Sequence, residues 1–457
     1  MKLKWCMTVM LLYLLTLPVW SQEAGPELSL RDCVRIALEN NPDVQTYANI
    51  ARSAGNNVRA SYSGILPTVG VTYQGGRTRA GDATSITEVQ TQDPVTGDTI
   101  FVNREASTPG YTRNFYSVSL SVNQNIFDGG NWWNAIKQSK ADRAAADYSY
   151  EGQINEVIRL VSQEFFDLLK HEKLYEVYDL AVQRSQDNLD KSQKMFEIGS
   201  VAKVDVFRAQ VNLGNDRIAL IQQRNTVQQA RQTLNIAMGR DPHAPISVRR
   251  EFAYEYTVPS LDELTQTAYE NQPEISRLEM ETRSNELSAG LAKSSFWPTL
   301  GAFFSYQRNN SQFDQIYTDV GKNWSISLGL SGRWNLFNGF ADQVRVQNAK
   351  IAHKNAQLAL ENYKRNLKSA ITNNYNSYKN LEEIVEINKE NLKAAQEEYR
   401  LATERYRLGS GTSLDVRESQ VNLTDAERIL VAAEYDLIIT YAQLLESLGT
   451  IQALFKE

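Results

Sequence analysis

The chain is written twice, and that duplication limits its possible folds more than any other feature. Leu30 to Tyr73, which runs from LRDCVRIALENNPDV to LPTVGVTY, returns 231 positions later as Leu261 to Phe304, from LDELTQTAYENQPEI to WPTLGAFF. A second block returns 210 positions later: Phe127 and Gly129 as Phe337 and Gly339, Asp205 and Val206 as Asp415 and Val416, and Gly239 as Gly449. No insertion separates the copies from about Ser117 to Gly239, so the extra length of copy one lies between Gln74 and Tyr116. Such intolerance of length change predicts long elements packed side by side in fixed register.

Heptads identify those elements. Val161, Leu168, Tyr175, Val182, Leu189 and Phe196 are seven apart, as are Ile371, Tyr378, Val385, Leu392, Tyr399 and Tyr406 in copy two. A second series follows each Gly-Ser pair: Val206, Leu213, Leu220, Val227 and Leu234, matched by Val416, Leu423, Leu430, Leu437 and Leu444. A sustained repeat of seven signals coiled-coil packing. Each repeat is therefore expected to hold one very long helix, a turn and a return helix. The first, from about Asn131 to Glu197, would extend about 100 Å at 1.5 Å per residue. A solid four-helix bundle shows the same heptads but seldom needs helices of that length.

Between the helical blocks the period changes to two. Tyr116, Val118, Leu120, Val122 and Ile126 alternate with Ser117, Ser119, Ser121, Asn123 and Asn125, and Trp324 to Leu336 alternates with serines, Gly329, Arg333 and Asn335. Weaker partners run from Val69 to Gln74 and from Leu300 to Tyr306, where Phe303 interrupts the wet face. Each follows a proline, at 67 and 298, where no ladder donor is required. These are strands with one apolar and one polar face. The alternation suits an outer-membrane barrel, and equally a sheet lying on the helices of a soluble protein. Tryptophan favours the barrel: Trp132, Trp133, Trp297, Trp324 and Trp334 all fall at or just beyond strand ends, where an interfacial girdle belongs. Four strands cannot close a barrel, so the chain must oligomerise; spacing alone allows two, three or four copies.

Residues 1–21 read as a secretory signal, with Lys2 and Lys4 ahead of an uncharged stretch that ends near Ser21. A mean hydropathy of −0.44 excludes a polytopic helical membrane protein but not a barrel. With a formal net charge of −6 and no basic block, nucleic acid is not an expected partner. Two Cys and three His build no disulfide framework or metal cluster. His171, His243 and His353 share no motif spacing, and no phosphate loop, nucleophile elbow or HExxH occurs, so neither catalysis nor a cofactor is expected.

These residues resemble the TolC-type outer-membrane efflux channels over nearly the whole chain. The resemblance rests on ALENNP and AYENQP, LPTVG and WPTLG, FDGG and FNGF, and FEIGSVAKVDVFRAQVNL with YRLGSGTSLDVRESQVNL, in the same order twice. It implies an α+β membrane protein in which each chain of a homotrimer gives four strands to one 12-stranded outer-membrane β-barrel, continued by a coiled-coil α-helical barrel in the periplasm. It also implies contact with outer-membrane lipid and work with a periplasmic adaptor and an inner-membrane pump of RND, ABC or MFS type. The expected layout is a signal (1–21), repeat one (22–239), a connector (240–260), repeat two (261–449) and a tail (450–457). The function implied is a passive exit duct, for small-molecule efflux or protein secretion. A soluble periplasmic scaffold is the competing class.

By the same resemblance, Ile198-Gly199-Ser200 and Leu408-Gly409-Ser410 are adaptor-contacting tips, and Asp205, Asp415 and Glu418 ring the pore entrance. Tyr406 matches an aromatic of that constriction, and Gly411 stands where some relatives hold a basic latch. Asp415 and Glu418 also lie in the first turns of a helix, where acids commonly cap. Gly129 and Gly339 supply the strand-to-helix corners. Residues 77–115 are expected as the copy-one outer loop, with a small hairpin around Pro94 to Asp98.

Overall fold

The computed structural model of the protein describes residues 27–250, 258–318 and 320–455. The expected signal, the connector's residues 251–257 and the last two residues of the tail lie outside them. Repeat one contains α1 (Leu30–Asn40), α2 (Pro42–Ser61), β1 (Thr68–Ala80), β2 (Ala83–Gln92), β3 (Thr99–Thr108), β4 (Tyr111–Phe127), α3 (Asn131–Glu197) and α4 (Lys203–Ala237). Repeat two contains α5 (Leu261–Asn271), α6 (Pro273–Ser294), β5 (Thr299–Asn310), α7 (Gln315–Thr318), β6 (Trp324–Arg333), α8 (Ala341–Arg407) and α9 (Ser413–Ser447). The 67-residue α3 and α8 are the long helices that the heptads require.

The chain divides into two compact units. The first gathers residues up to 53, 144–279 and from 358 onward. In it the helices lie side by side in the order α4, α3, α9, α8. Leu189 of α3 packs on Ala209 and Leu213 of α4, Leu174 and Val177 of α3 pack on Val431 of α9, and Leu367 and Ile371 of α8 pack with Leu444 and Leu448 beyond them. The heptad positions supply this core: Val161, Leu168, Leu234, Ile371, Tyr378 and Leu444 are all buried.

The repeated Glu-Asn-Asn-Pro and Glu-Asn-Gln-Pro segments are the joints that dock each short helical pair onto the end of a return helix. Asn41 donates Nδ2–H to the Ala237 carbonyl at 3.0 Å and accepts the Asp43 amide on Oδ1 at 2.8 Å. Gln272 donates to the carbonyls of Glu446 and Ser447, both at 3.2 Å. The connector adds one strand-like contact, with Leu28 N–H donating to the Ser247 carbonyl and Arg249 N–H to that of Leu28, both at 2.9 Å. This contact buries Val248 in the core of the first unit.

The second unit, residues 54–143 and 280–357, holds a four-stranded antiparallel sheet in the order β1-β4-β5-β6 and a separate β2-β3 ribbon. One row across the sheet reads Val71, Leu120, Tyr306, Ile326, and the adjacent row on the other face reads Gly70, Ser121, Ser305, Ser327. Phe303, which breaks the polar face in sequence, lies over its ladder partner Gly329, where a Cβ would meet the ring at 2.8 Å. Tyr116 covers Gly75 in the same way. An aromatic thus fills the space each glycine leaves.

Three strand boundaries differ from expectation. The copy-two strand stops at Arg333 rather than Leu336, because its partner β5 begins at Thr299, directly after Pro298, which has no N–H to give. The copy-one outer segment is not a loop with a small hairpin. β1 and β4 extend to the Ala80–Tyr111 pair, and β2 and β3 then form a ten-pair ribbon that turns at Asp93–Asp98. The turn falls where Pro94, Gly97 and Asp98 placed it. The ribbon is hidden in the sequence because polar and charged side chains occupy most of its positions, so its period of two carries little hydrophobic contrast.

Candidate functional site

The two hairpin turns are built alike. After α3, Gly199 adopts φ +74°, its N–H donating to Phe196 O at 2.9 Å, while Ser200 N–H reaches back to Met195 O at 2.8 Å. After α8, Gly409 adopts φ +73°, and Ser410 N–H donates to Arg405 O at 2.9 Å. This left-handed C-terminal cap needs glycine. It leaves Ile198 and Leu408 pointing away from any core, 79% and 70% exposed. Gly411 is packed closely, since a Cβ there would meet Arg405 Cβ and Tyr406 N at 3.1 Å.

The acidic residues stand differently from one another. Asp415 completes a capping box, its carboxylate accepting the Thr412 amide at 2.9 Å and its own amide donating to Thr412 Oγ at 3.2 Å. The Thr412 backbone bond, followed by its hydroxyl, holds the Asp415 carboxyl below the usual carboxylate value. Glu418, one turn on, is exposed. Asp205 is more enclosed and joins the two repeats: its Oδ1 accepts Ser413 Oγ–H at 3.0 Å and pairs with Arg208 at 3.2 Å. The fold thus links Asp205 to the helix turn that carries Asp415. Tyr406 is buried in the heptad core, with its hydroxyl unpartnered among the described residues.

Sequence reading missed the polar cluster just inside these turns. Arg417 of α9 binds Asp216 of α4, Ser185 of α3 donates to the same carboxylate, and Gln420 donates to Ser185 at 2.7 Å. These contacts have no counterpart in the other repeat, where Gln210 matches Gln420 but the positions equivalent to Ser185, Asp216 and Arg417 hold Ala395, Ala426 and Phe207, so the duplication gave no signal of the ion pair.

At the sheet, Gly129 (φ +70°) turns the chain into α3 where any side chain would strike Ser294 O at 2.6 Å. Gly339 makes the corresponding turn into α8 at φ +67°, with open space around it, and Asp128 and Asn338 cap the helices that follow. Phe340, the counterpart of Gly130, carries φ +68° and packs edge-on against Phe337 at 5.4 Å. Trp132 and Trp133 contact each other at 5.4 Å, and Trp334 donates Nε1–H to Phe296 O at 3.1 Å beside Trp297. These four lie at the end of the sheet from which the helices leave, and Trp324 begins β6 at the other end.

The outer membrane efflux protein family matches residues 33–240 and 264–450, which is most of both repeats. The chain belongs to that family. It is an outer-membrane protein of the efflux class, and the soluble scaffold falls away. This efflux protein is similar to outer membrane protein TolC of Vibrio cholerae, 22% identical over 442 residues, 95% of this chain and 92% of that one. The probable efflux pump outer membrane protein TtgC of Pseudomonas putida is 19% identical over 92% of this chain and 83% of its own length. The crystal structure of the Campylobacter jejuni CmeC outer membrane channel superposes with a TM-score of 0.77 at 17% identity, covering 92% of this chain and 86% of that chain. The fold is therefore that of the outer-membrane channels.

Proposed function

We propose that three copies of this chain close one barrel in the outer membrane and one helical tube beneath it, forming a passive exit duct. A periplasmic adaptor and an inner-membrane pump, of RND, ABC or MFS type, deliver the cargo. One observation carries the reading: among the described residues the four-stranded sheet ends in two edge strands, β1 and β6, each paired on one side only, while its faces divide into apolar and polar rows. Hydrocarbon does not tolerate open sheet edges, and four strands are too few to close alone. The helical layer supports the same closure. Its edge helices carry apolar side chains left exposed among the described residues, Val204, Phe207, Val211, Ile218 and Ile221 on α4 and Ile384, Ile387 and Leu401 on α8. Each stripe follows the a/d spacing of a further coiled-coil seam.

In the closed assembly, Asp415 and Glu418 from three chains focus negative potential at a narrow mouth that favours cations. Asp205 and Tyr406 brace that mouth. Ile198-Gly199-Ser200 and Leu408-Gly409-Ser410 are the adaptor-facing tips, and the five tryptophans form the interfacial girdle. Single-channel conductance of the detergent-extracted protein tests this in a salt gradient. Cation-selective currents that lose selectivity in Asp415→Asn/Glu418→Gln are expected. Unchanged selectivity would return both carboxylates to capping and solvation, and a protein that never inserts would sink the duct.

A further inference from the structure

We infer that Arg77 and Arg79 form a binding site for phosphate-bearing lipid headgroups at the outer rim of the barrel; this rests on the barrel reading above. β1 pairs with β4 without a bulge from Thr68↔Asn123 to Ala80↔Tyr111, so the odd-numbered residues of β1 all share the face of Val69 and Val71. Tyr73 stands on that face, and so does Tyr116, opposite Gly75. Phe313, from the copy-two outer loop, packs edge-on against both rings, with centroids 6.2 and 5.7 Å away. Arg77 and Arg79 are the next two side chains along the same face above Gly75. Both are exposed, and neither forms an ion pair among the described residues.

Height decides what these arginines meet. At about 3.4 Å per residue and a tilt of about 40°, Arg77 stands about 23 Å above Thr68 and Arg79 about 29 Å above it. The apolar band of an outer-membrane barrel is about 25 Å tall. With Thr68 at the lower edge of that band, Tyr73 lies about 13 Å and Tyr116 about 18 Å up, so the face is aliphatic low in the hydrocarbon, aromatic in its upper half and cationic at its upper edge, Arg77 about 2 Å below that edge and Arg79 about 4 Å above it. That is the order in which a lipid presents its tails, its ester region and its phosphate. A guanidinium matches phosphate with two parallel hydrogen bonds, and two on alternate residues of one strand offer such a fork at successive heights. Arg113 is an internal control: it pairs with Thr78 at the same level but on the polar face of Ser117 and Ser119.

The test is flotation and titration of the full-length protein with phosphatidylcholine vesicles, with and without diphosphoryl lipid A. We expect Arg77→Ala to weaken lipid A binding about tenfold, Arg77→Ala/Arg79→Ala further still, and Arg113→Ala to leave it unchanged. Arg77→Lys/Arg79→Lys should recover part of the loss. Equal binding by the wild type and the double alanine variant, or an equal loss in Arg113→Ala, would overturn the site. Displacement of lipid A by millimolar inorganic phosphate would overturn the assignment to lipid. Failure of the wild type to float with either vesicle would overturn the barrel reading, and the inference with it; that outcome is distinct because it appears before any variant is compared.

Discussion

Arg417 on α9 holds both carboxylate oxygens of Asp216 on α4, Nη1 to Oδ2 at 2.7 Å and Nη2 to Oδ1 at 3.1 Å. The pair spans the two repeats, and both side chains are mostly enclosed. Removing one member strands the other charge among packed helices. Asp216→Ala or Arg417→Ala should each cost about 2–3 kcal/mol. Asp216→Leu/Arg417→Met should cost less than either single change, because no charge is left unpaired. Denaturant midpoints of the four proteins check this; equal losses in single and double variants would contradict it.

Gly449 and Gly409 both hold φ +73°, but their surroundings differ. A Cβ on Gly449 would lie 2.4 Å from the carbonyl oxygen of Asn271, whereas one on Gly409 would meet nothing within 4 Å. Gly409→Ala should therefore bear only the left-handed backbone term, about 1 kcal/mol. Gly449→Ala should cost at least about 2 kcal/mol more, since the helical joint must open. Gly239→Ala should behave like Gly449→Ala, because its Cβ would lie 2.7 Å from Asn40 O. Thermal melts of the three variants measure the difference.

Cys33 is fully buried in the core of the first unit, and burial pushes its thiol up to about 12. A neutral, enclosed thiol is a poor nucleophile. Maleimide at neutral pH should leave the folded protein unlabelled and modify it only in denaturant, as mass spectrometry would show.

Glu446 on α9 is half-buried, and desolvation, with Glu156 nearby, raises its carboxyl above the ordinary value despite Arg159. A raised folded value means that protonation favours the fold. That stability is fully present below the unfolded value of about 4.5 and is lost as pH rises through the folded one. Glu446→Gln should raise the thermal midpoint at pH 7, and its advantage should shrink as the pH falls toward 4.5. An advantage constant with pH would refute the assignment.

Much of the channel architecture is legible in the residues. Heptads locate α3 and α8 because one face of each helix must be apolar at every second turn, and Pro67 and Pro298 mark strand starts because proline has no donor to lose. The site is less legible. Asp415 and Glu418 look equivalent in sequence, but in the fold one is bound in a capping box and the other is free in solvent. Asp205 gives no sign of its partner Ser413, which lies 208 residues away.

By itself the sequence determined the duplication, the long helices, the alternating faces of the sheet strands and the glycine turns. Each is a local or periodic requirement that every residue along an element repeats. Only the tertiary structure decided that α3 lies between α4 and α9, that Phe303 covers Gly329, and that Arg417 meets Asp216. Such contacts join single residues from distant elements once, through side-chain geometry that no period records.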